Sequence, residues 1–320
     1  MKDDYKQTNI LLESGTNELE IVEFQIVKPK DDSYKKDGDF YGINVAKVRE
    51  IITMPEVTEL PRAHPCVKGV FNLRGRVIPL IDLGHWIQNA QSKPDESKKR
   101  VIVTEFNGIY NGFSVYSVSR IHRISWKQVT SPSDIIEEGG SDCIVGVIKF
   151  ENKIVMLLDF EKILSDINPS ISIRKVPSTD GDLEKRKGKK ILVAEDSNFI
   201  RRSVIDSLTS AGYQVEAFSN GAEALTKIKE HATYAKNNNY QISDMFQLLI
   251  TDIEMPQMDG LHLTKNLRDD LFFKDLPIIV YSSIANDENK RKAASVGATG
   301  FIGKPELERL VQLIDALLAR

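Results

Sequence analysis

Four apolar runs in the C-terminal part of the chain each end in a polar or charged residue, and this recurrence constrains the fold more than any other feature. Lys190-Ile191-Leu192-Val193-Ala194 runs into Glu195 and Asp196, and Leu248-Leu249-Ile250-Thr251 into Asp252. Pro277-Ile278-Ile279-Val280-Tyr281 runs into Ser282, and Gly300-Phe301-Ile302-Gly303 into Lys304. Helical patterns lie between and after them. Ile200, Val204 and Leu208 recur at four-residue steps and are closed by Gly212, and Leu307, Leu310, Val311, Ile314, Leu317 and Leu318 form a final stripe. Fully apolar runs alternating with amphipathic helices predict a parallel sheet covered on both faces. The carboxyl ends of such strands open on one rim, where ligands bind. Glu195, Asp196, Asp252, Ser282 and Lys304 are therefore expected to meet in one pocket.

Carboxylates packed together repel unless a cation sits among them. A hard divalent ion with oxygen ligands answers that need, and Mg²⁺ suits one or two carboxylates with phosphate oxygens and water. Lys304 adds a compact positive charge and Ser282 a hydroxyl donor. These are the groups that balance a transferred phosphoryl group, which makes Asp252 the expected carboxylate nucleophile. A lone aspartate at a strand end is usually a helix cap, and a lone lysine is usually solvated. The joint occurrence at four successive strand ends is what points to chemistry.

The N-terminal half carries an internal repeat. Residues 66–83, CVKGVFNLRGRVIPLIDL, align without a gap on residues 143–160, CIVGVIKFENKIVMLLDF, 77 positions later. Each copy reads as strand, tight turn, strand, then an aspartate (Asp82 or Asp159) placed to cap a short helix. The period-two segments Val22-Phe24-Ile26 and Tyr41-Ile43-Val45 predict two more strands around a tip at 28–39. Val101–Phe106 and Phe113–Val118 flank a hairpin signal at Asn107-Gly108. Many short strands with a duplicated unit predict two small β-barrels. Cys66 and Cys143 occupy equivalent positions and read as core thiols. The turns differ in charge: Arg74 stands in the first where Glu151 stands in the second. Core packing does not require a charge at a tip, so the basic tip is a candidate contact surface.

Residues 169–188 have two prolines, few large apolar side chains and clustered charge, which predicts a linker. An exposed loop is expected at 88–99. The resulting division is a tail at 1–17, a β domain at 18–168, the linker, and an α/β domain at 189–320. A formal net charge of -3 argues against a dedicated nucleic-acid binder. The polar N-terminus lacks a secretory pattern, and no apolar run approaches the roughly 18 residues of a membrane span. Two cysteines without metal-site spacing agree with a cytoplasmic chain.

Residues 189–320 resemble a response-regulator receiver domain. The acidic pair, the Asp252 strand followed by MPQMDG, Ser282 and the FIGKP segment occur in order. The resemblance implies a flavodoxin-like fold with a five-stranded sheet. It implies that Asp252 accepts phosphate from a kinase phosphohistidine. Mg²⁺ would be held by Glu195, Asp196, Asp252 and the backbone carbonyl of Glu254. Lys304 would contact the phosphate, with Ser282 and Phe301 as the switch hydroxyl and aromatic ring. Two departures stand out: serine replaces the commoner threonine at 282, and residues 231–246 lengthen one connection.

Residues 18–168 resemble the CheW coupling family, on Phe40-Tyr41-Gly42-Ile43, Val48-Arg49-Glu50-Ile51-Ile52 and Val67 through Leu83. That resemblance implies a pair of β-barrels that contacts chemoreceptor tips and the histidine kinase CheA. Glu50, Asn72, Arg74 and Gly75 become expected interface residues. The order of the two domains is that of the CheV chemotaxis family. It implies an adaptor, recruited to receptor arrays without inserting in the membrane, whose coupling is adjusted by phosphorylation. A phosphate sink and an Mg²⁺-dependent phosphatase remain as rival readings.

Overall fold

The computed structural model describes residues 17–26, 39–88, 99–106, 108–131, 143–168 and 179–319. The expected tip at 28–38, the loop at 89–98, Asn107, the linker residues 169–178 and the tail at 1–16 lie outside these. The chain divides into two compact units, one made of residues 19–124 with 128–171, the other containing residues 172–320.

The first unit is all β with two short helices. Its strands are β1 (Glu18–Gln25), β2 (Phe40–Asn44), β3 (Val48–Thr53), β4 (Val67–Leu73), β5 (Arg76–Asp82), β6 (Arg100–Phe106) and β7 (Ile109–Val115). They continue with β8 (Ser117–Ser125), β9 (Val129–Thr130), β10 (Ile144–Lys149) and β11 (Ile154–Leu158), and the helices are α1 (Leu83–Gln88) and α2 (Phe160–Ile167). The strand after Gly108 begins at Ile109 rather than at Phe113, and Ser117 opens a separate strand.

The strands form a six-stranded sheet, β8-β1-β2-β11-β10-β9, and a five-stranded sheet, β3-β6-β7-β5-β4. One copy of the repeat lies in each. The duplication extends to the irregularities: the β4/β5 register shifts between Val67 and Gly69, and the β10/β11 register between Ile144 and Gly146. Leu80 pairs in parallel with Gly112, and its counterpart Leu157 pairs in parallel with Gly42. Thus β1 and β2 hold, in the larger sheet, the places that β6 and β7 hold in the smaller. The five-stranded sheet comes from one continuous stretch, whereas the other borrows the N-terminal hairpin to complete itself.

Both sheets curl. Thr58, just past β3, exchanges two backbone hydrogen bonds of 2.8 Å with Val70 of β4, linking opposite edges of the five-stranded sheet. The two edges of the larger sheet, β8 and β9, are only three residues apart in the chain. Side chains from both sheets share one core: Phe24, Tyr41 and Ile43 meet Ile81, Ile102 and Phe113 around Phe160. The rings of Phe113 and Phe160 contact edge to face with centroids 4.8 Å apart. Phe160 follows the cap Asp159, whose carboxylate accepts the Lys162 N–H at 2.9 Å. Asp82 likewise accepts the His85 N–H at 3.2 Å. Cys66 is buried, whereas Cys143 is only half-buried, and neither is bridged.

The second unit has the parallel order β13-β12-β14-β15-β16, with β12 (Lys190–Ala194), β13 (Gln214–Phe218), β14 (Leu248–Thr251), β15 (Ile278–Ser282) and β16 (Gly300–Gly303). Its helices are α3 (Asp180–Arg186), α4 (Asn198–Ser210), α5 (Gly221–Asn237), α6 (Ile242–Met245), α7 (Gly260–Arg268), α8 (Asp287–Ser295) and α9 (Leu307–Leu318). Alternate residues of the central strands feed cores on both faces. Ile191, Val193 and Ile250 pack with Val204, Leu208, Leu310 and Ile314, while Leu192, Leu249 and Ile278 pack with Ile228, Leu263 and Leu267. The lengthened connection at 231–246 is absorbed by α5, a 17-residue helix, and by the single turn α6.

Helix α3 lies inside the segment expected as the linker. Thr179 caps it through a reciprocal pair of hydrogen bonds with Asp182. Arg186, within the segment expected as a linker, is buried and donates to both Asp315 oxygens, at 2.8 and 2.5 Å, and to the Ala211 carbonyl at 3.0 Å. Tyr213 donates its hydroxyl to the same Asp315 at 2.5 Å. Composition counts charge as a bar to folding, and here the charge is the contact that folds the segment.

Candidate phosphoryl-accepting pocket

The strand ends bring Glu195, Asp196, Asp252 and Lys304 together. Asp252 directly follows β14, where its N–H donates to the Ala194 carbonyl at 2.9 Å and ties it to the end of β12. Its carboxylate is buried, with Oδ1 accepting the Ile253 N–H at 2.6 Å. One oxygen from each of Glu195, Asp196 and Asp252 lies within 4.8 Å of the others. Lys304 Nζ reaches between the strands, 2.7 Å from Asp252 Oδ2 and 2.9 Å from each Glu195 oxygen. The ion pairs are out of water: the side chains of Lys304, Glu195 and Asp252 are only 4%, 2% and 4% exposed.

The charge count tests the fit of an ion. Three ionised carboxylates against one ammonium leave two negative charges in a low-dielectric cleft, and an all-oxygen donor set of that charge matches Mg²⁺. Glu195, Asp196 and Asp252 are the side chains that could hold it. Glu254, whose carbonyl the receiver resemblance implies as a fourth ligand, is buried two residues beyond Asp252.

Ser282 ends β15 fully buried, opposite Gly303 of β16, and its carbonyl accepts the Lys304 N–H at 3.0 Å. Its hydroxyl accepts the Ile284 N–H at 3.3 Å. Phe301 pairs with Val280 and rests half-buried against Leu261, Ala293 and Val296. It lies one strand position from the pocket floor rather than among the acids.

Two contributors were not among the expected site residues. Gly260 opens α7 so close to Asp252 that a Cβ there would stand 1.8 Å from the Asp252 carbonyl oxygen. Its signal was present in the Met258-Asp259-Gly260 sequence, where Asp259 caps α7 by accepting the His262 N–H at 2.7 Å. Arg201, one turn into α4, donates to the carbonyls of Glu195 and Asp196 at 2.6 and 3.1 Å. An arginine in the first turn of a helix gives no such signal by pattern alone.

Comparison with known proteins places the whole chain. It is 34% identical over 304 residues to the chemotaxis protein CheV3 of Helicobacter pylori, an alignment covering 94% of this chain and 95% of that protein. The chain belongs to the CheV family of chemotaxis proteins. The CheV2 protein of the same organism is 29% identical over 305 residues, covering 89% of this chain and 92% of CheV2. The CheW-like domain model matches residues 33–168, and the response regulator receiver domain model matches residues 191–315. Among solved structures, the receiver domain of the Arabidopsis thaliana histidine kinase CKI1 complexed with Mg²⁺ and BeF3⁻ is 27% identical. That match covers 44% of this chain and 96% of that one, with a TM-score of 0.40.

The CheW-like unit of this CheV chain brings together the expected tip residues. Arg74 and Gly75 form a two-residue turn with positive φ at both, 52° and 84°, as a hairpin of this length favours. The Gly75 N–H donates to Asn72 Oδ1 at 2.8 Å. Arg74 projects into solvent, 79% exposed, and pairs with Glu50 of β3 at 2.9 Å. The second tip is held differently. Arg76 lies over the Tyr110 ring at 4.4 Å, and its counterpart Lys153 lies over the Phe40 ring at 4.5 Å. Lys153 also donates to both oxygens of buried Glu23, which His122 Nε2 meets at 2.6 Å. The second tip is pinned by a buried acid, whereas the first relies on the exposed Arg74–Glu50 pair and the Arg76–Tyr110 contact. Among the described residues, no helix is long and apolar enough to cross a membrane.

Proposed function

We propose that this CheV-family chain couples chemoreceptors to the histidine kinase CheA in cytoplasmic, membrane-associated arrays, and that phosphorylation of Asp252 adjusts the coupling. The observation that carries this reading is Lys304 buried between Asp252 and Glu195 inside a three-carboxylate cluster. Such a cluster is costly to bury for structure alone.

In the proposed step a carboxylate oxygen of Asp252 bonds to the phosphorus of a phosphohistidine as the phosphorus–nitrogen bond breaks and the imidazole leaves with the electron pair. Mg²⁺, when bound, supplies the positive charge that the incoming phosphoryl oxygens require. Lys304 exchanges Asp252 Oδ2 for a phosphoryl oxygen. The Ser282 hydroxyl turns from the Ile284 amide toward the new anion, and Phe301 moves into the space released. The added charge, about −1.5 to −2, shifts the unit between conformations that differ in affinity for the array. In the CheW-like unit, Arg74, Asn72, Gly75 and Glu50 form the candidate contact with receptor or kinase.

Reconstituted receptor–kinase arrays provide the test. Kinase activity is expected to differ between the phosphorylated and unphosphorylated chain, and the difference is expected to vanish in Asp252→Ala. Equal activity in both states, with faster loss of phosphate from the kinase, would mark a phosphate sink and overturn the feedback reading.

A further inference from the structure

Arg201 sits beside the acidic pair without touching either carboxylate. Its guanidinium instead forks between the main-chain carbonyls of Glu195 and Asp196, at 2.6 and 3.1 Å, and the side-chain oxygen of Asn198. The loop between β12 and α4 must present two adjacent acids to one cleft. That loop is otherwise anchored by the Glu195 N–H on the Phe218 carbonyl and by Ser197, whose hydroxyl caps α4 through the Ile200 N–H at 3.2 Å. Arg201 adds a hold on two successive peptides, because the Glu195 carbonyl belongs to the peptide joining the two acids and the Asp196 carbonyl to the next.

We propose that Arg201 is a positioning residue for the cation, holding Glu195 and Asp196 in the orientation that lets their oxygens meet Asp252. The inference rests on the Mg²⁺ reading of the pocket. The opposite outcome is physically available. A guanidinium is itself positive, and if its charge acted mainly through space it would repel the cation, so its removal would tighten binding. Orientation dominates because the hydrogen bonds are made to carbonyls, which screen the guanidinium from the acids. Lysine offers a point charge in place of a planar fork and cannot span both carbonyls and Asn198.

The test is calorimetric titration of the full-length chain with MgCl2, for wild type, Arg201→Gln, Arg201→Lys and Asn198→Ala, with melting measured in EDTA. Arg201→Gln is expected to weaken Mg²⁺ binding about tenfold, Arg201→Lys to fall between it and wild type, and Asn198→Ala to weaken it less. The EDTA melting temperature is expected to stay within a few degrees. Phosphoryl uptake by Arg201→Gln is expected to need more Mg²⁺ but to reach the wild-type plateau. Unchanged or tighter binding in Arg201→Gln overturns the positioning role while leaving the pocket intact. A wild-type chain that binds no Mg²⁺ overturns both.

Discussion

Gly260 shows how tightly single residues are fixed around Asp252. Any side chain at 260 drives a carbon into the Asp252 carbonyl, and the Gly260 N–H is already bonded to the Ile253 carbonyl at 2.9 Å. Gly260→Ala is expected to cost about 1–3 kcal/mol, as overpacking does, and to displace the phosphoacceptor. Urea unfolding of the full chain measures the first effect, and the rate of phosphoryl uptake the second. A second residue-scale expectation concerns Glu23. Burial raises its pKa, but hydrogen bonds and charge from Lys153 and His122 outweigh that and hold it below the ordinary 4.5. A carboxylate lowered in the folded state stabilises fully above the unfolded value, and the contribution disappears as pH falls below it. Lys153→Met is therefore expected to cost roughly 3 kcal/mol at pH 7 and to flatten the stability loss below pH 4.5. A variant whose acid unfolding profile is only shifted, with unchanged slope, would show that the pair is not the cause. At the basic tip, Arg74→Glu is expected to weaken binding to receptor–kinase membranes about tenfold without lowering the melting temperature, as cosedimentation and calorimetry would show.

The element scale separates what periodicity reveals from what it hides. Four of the five strands of the parallel sheet and their polar ends could be read directly, because apolar runs and helical stripes are local patterns, whereas β13, QVEAF, is too short and too polar to stand out. The repeat at 66–83 and 143–160 gave the paired hairpins and their capping aspartates. It did not give the placement of β1 and β2, because Gly42 and Gly112 are related only through their pairing with Leu157 and Leu80, which no local pattern records. Helix α3 was hidden for another reason. Its stability comes from Arg186 meeting Asp315, Tyr213 and Ala211, from 25 to 129 residues away in the chain. Asp315 is raised by burial, yet held below its ordinary value by the hydrogen bonds from Arg186 and Tyr213. Arg186→Met is expected to cost roughly 1.5–3 kcal/mol, the range for hydrogen bonds to charged groups. Hydrogen exchange should then show α3 losing protection before α4. Equal protection in the variant would mean that the helix stands without the clamp.

At the scale of the molecule, each unit has its own core and its own chemistry. Phe160 lies where the two curled sheets share side chains, so Phe160→Ala is expected to destabilise the whole CheW-like unit by about 3–5 kcal/mol. The α/β unit should keep its uptake of phosphate. In the proposed function the phosphoryl group on Asp252 joins the two, and transfer itself decides whether it forms. The purified chain is mixed with phosphorylated CheA in Mg²⁺ or in EDTA, and label is followed from kinase to chain for wild type and Asp252→Ala. Label is expected on the wild-type chain in Mg²⁺ alone and not on Asp252→Ala. Label on Asp252→Ala, or none on the wild type in Mg²⁺, would contradict a phosphorylation switch at this pocket.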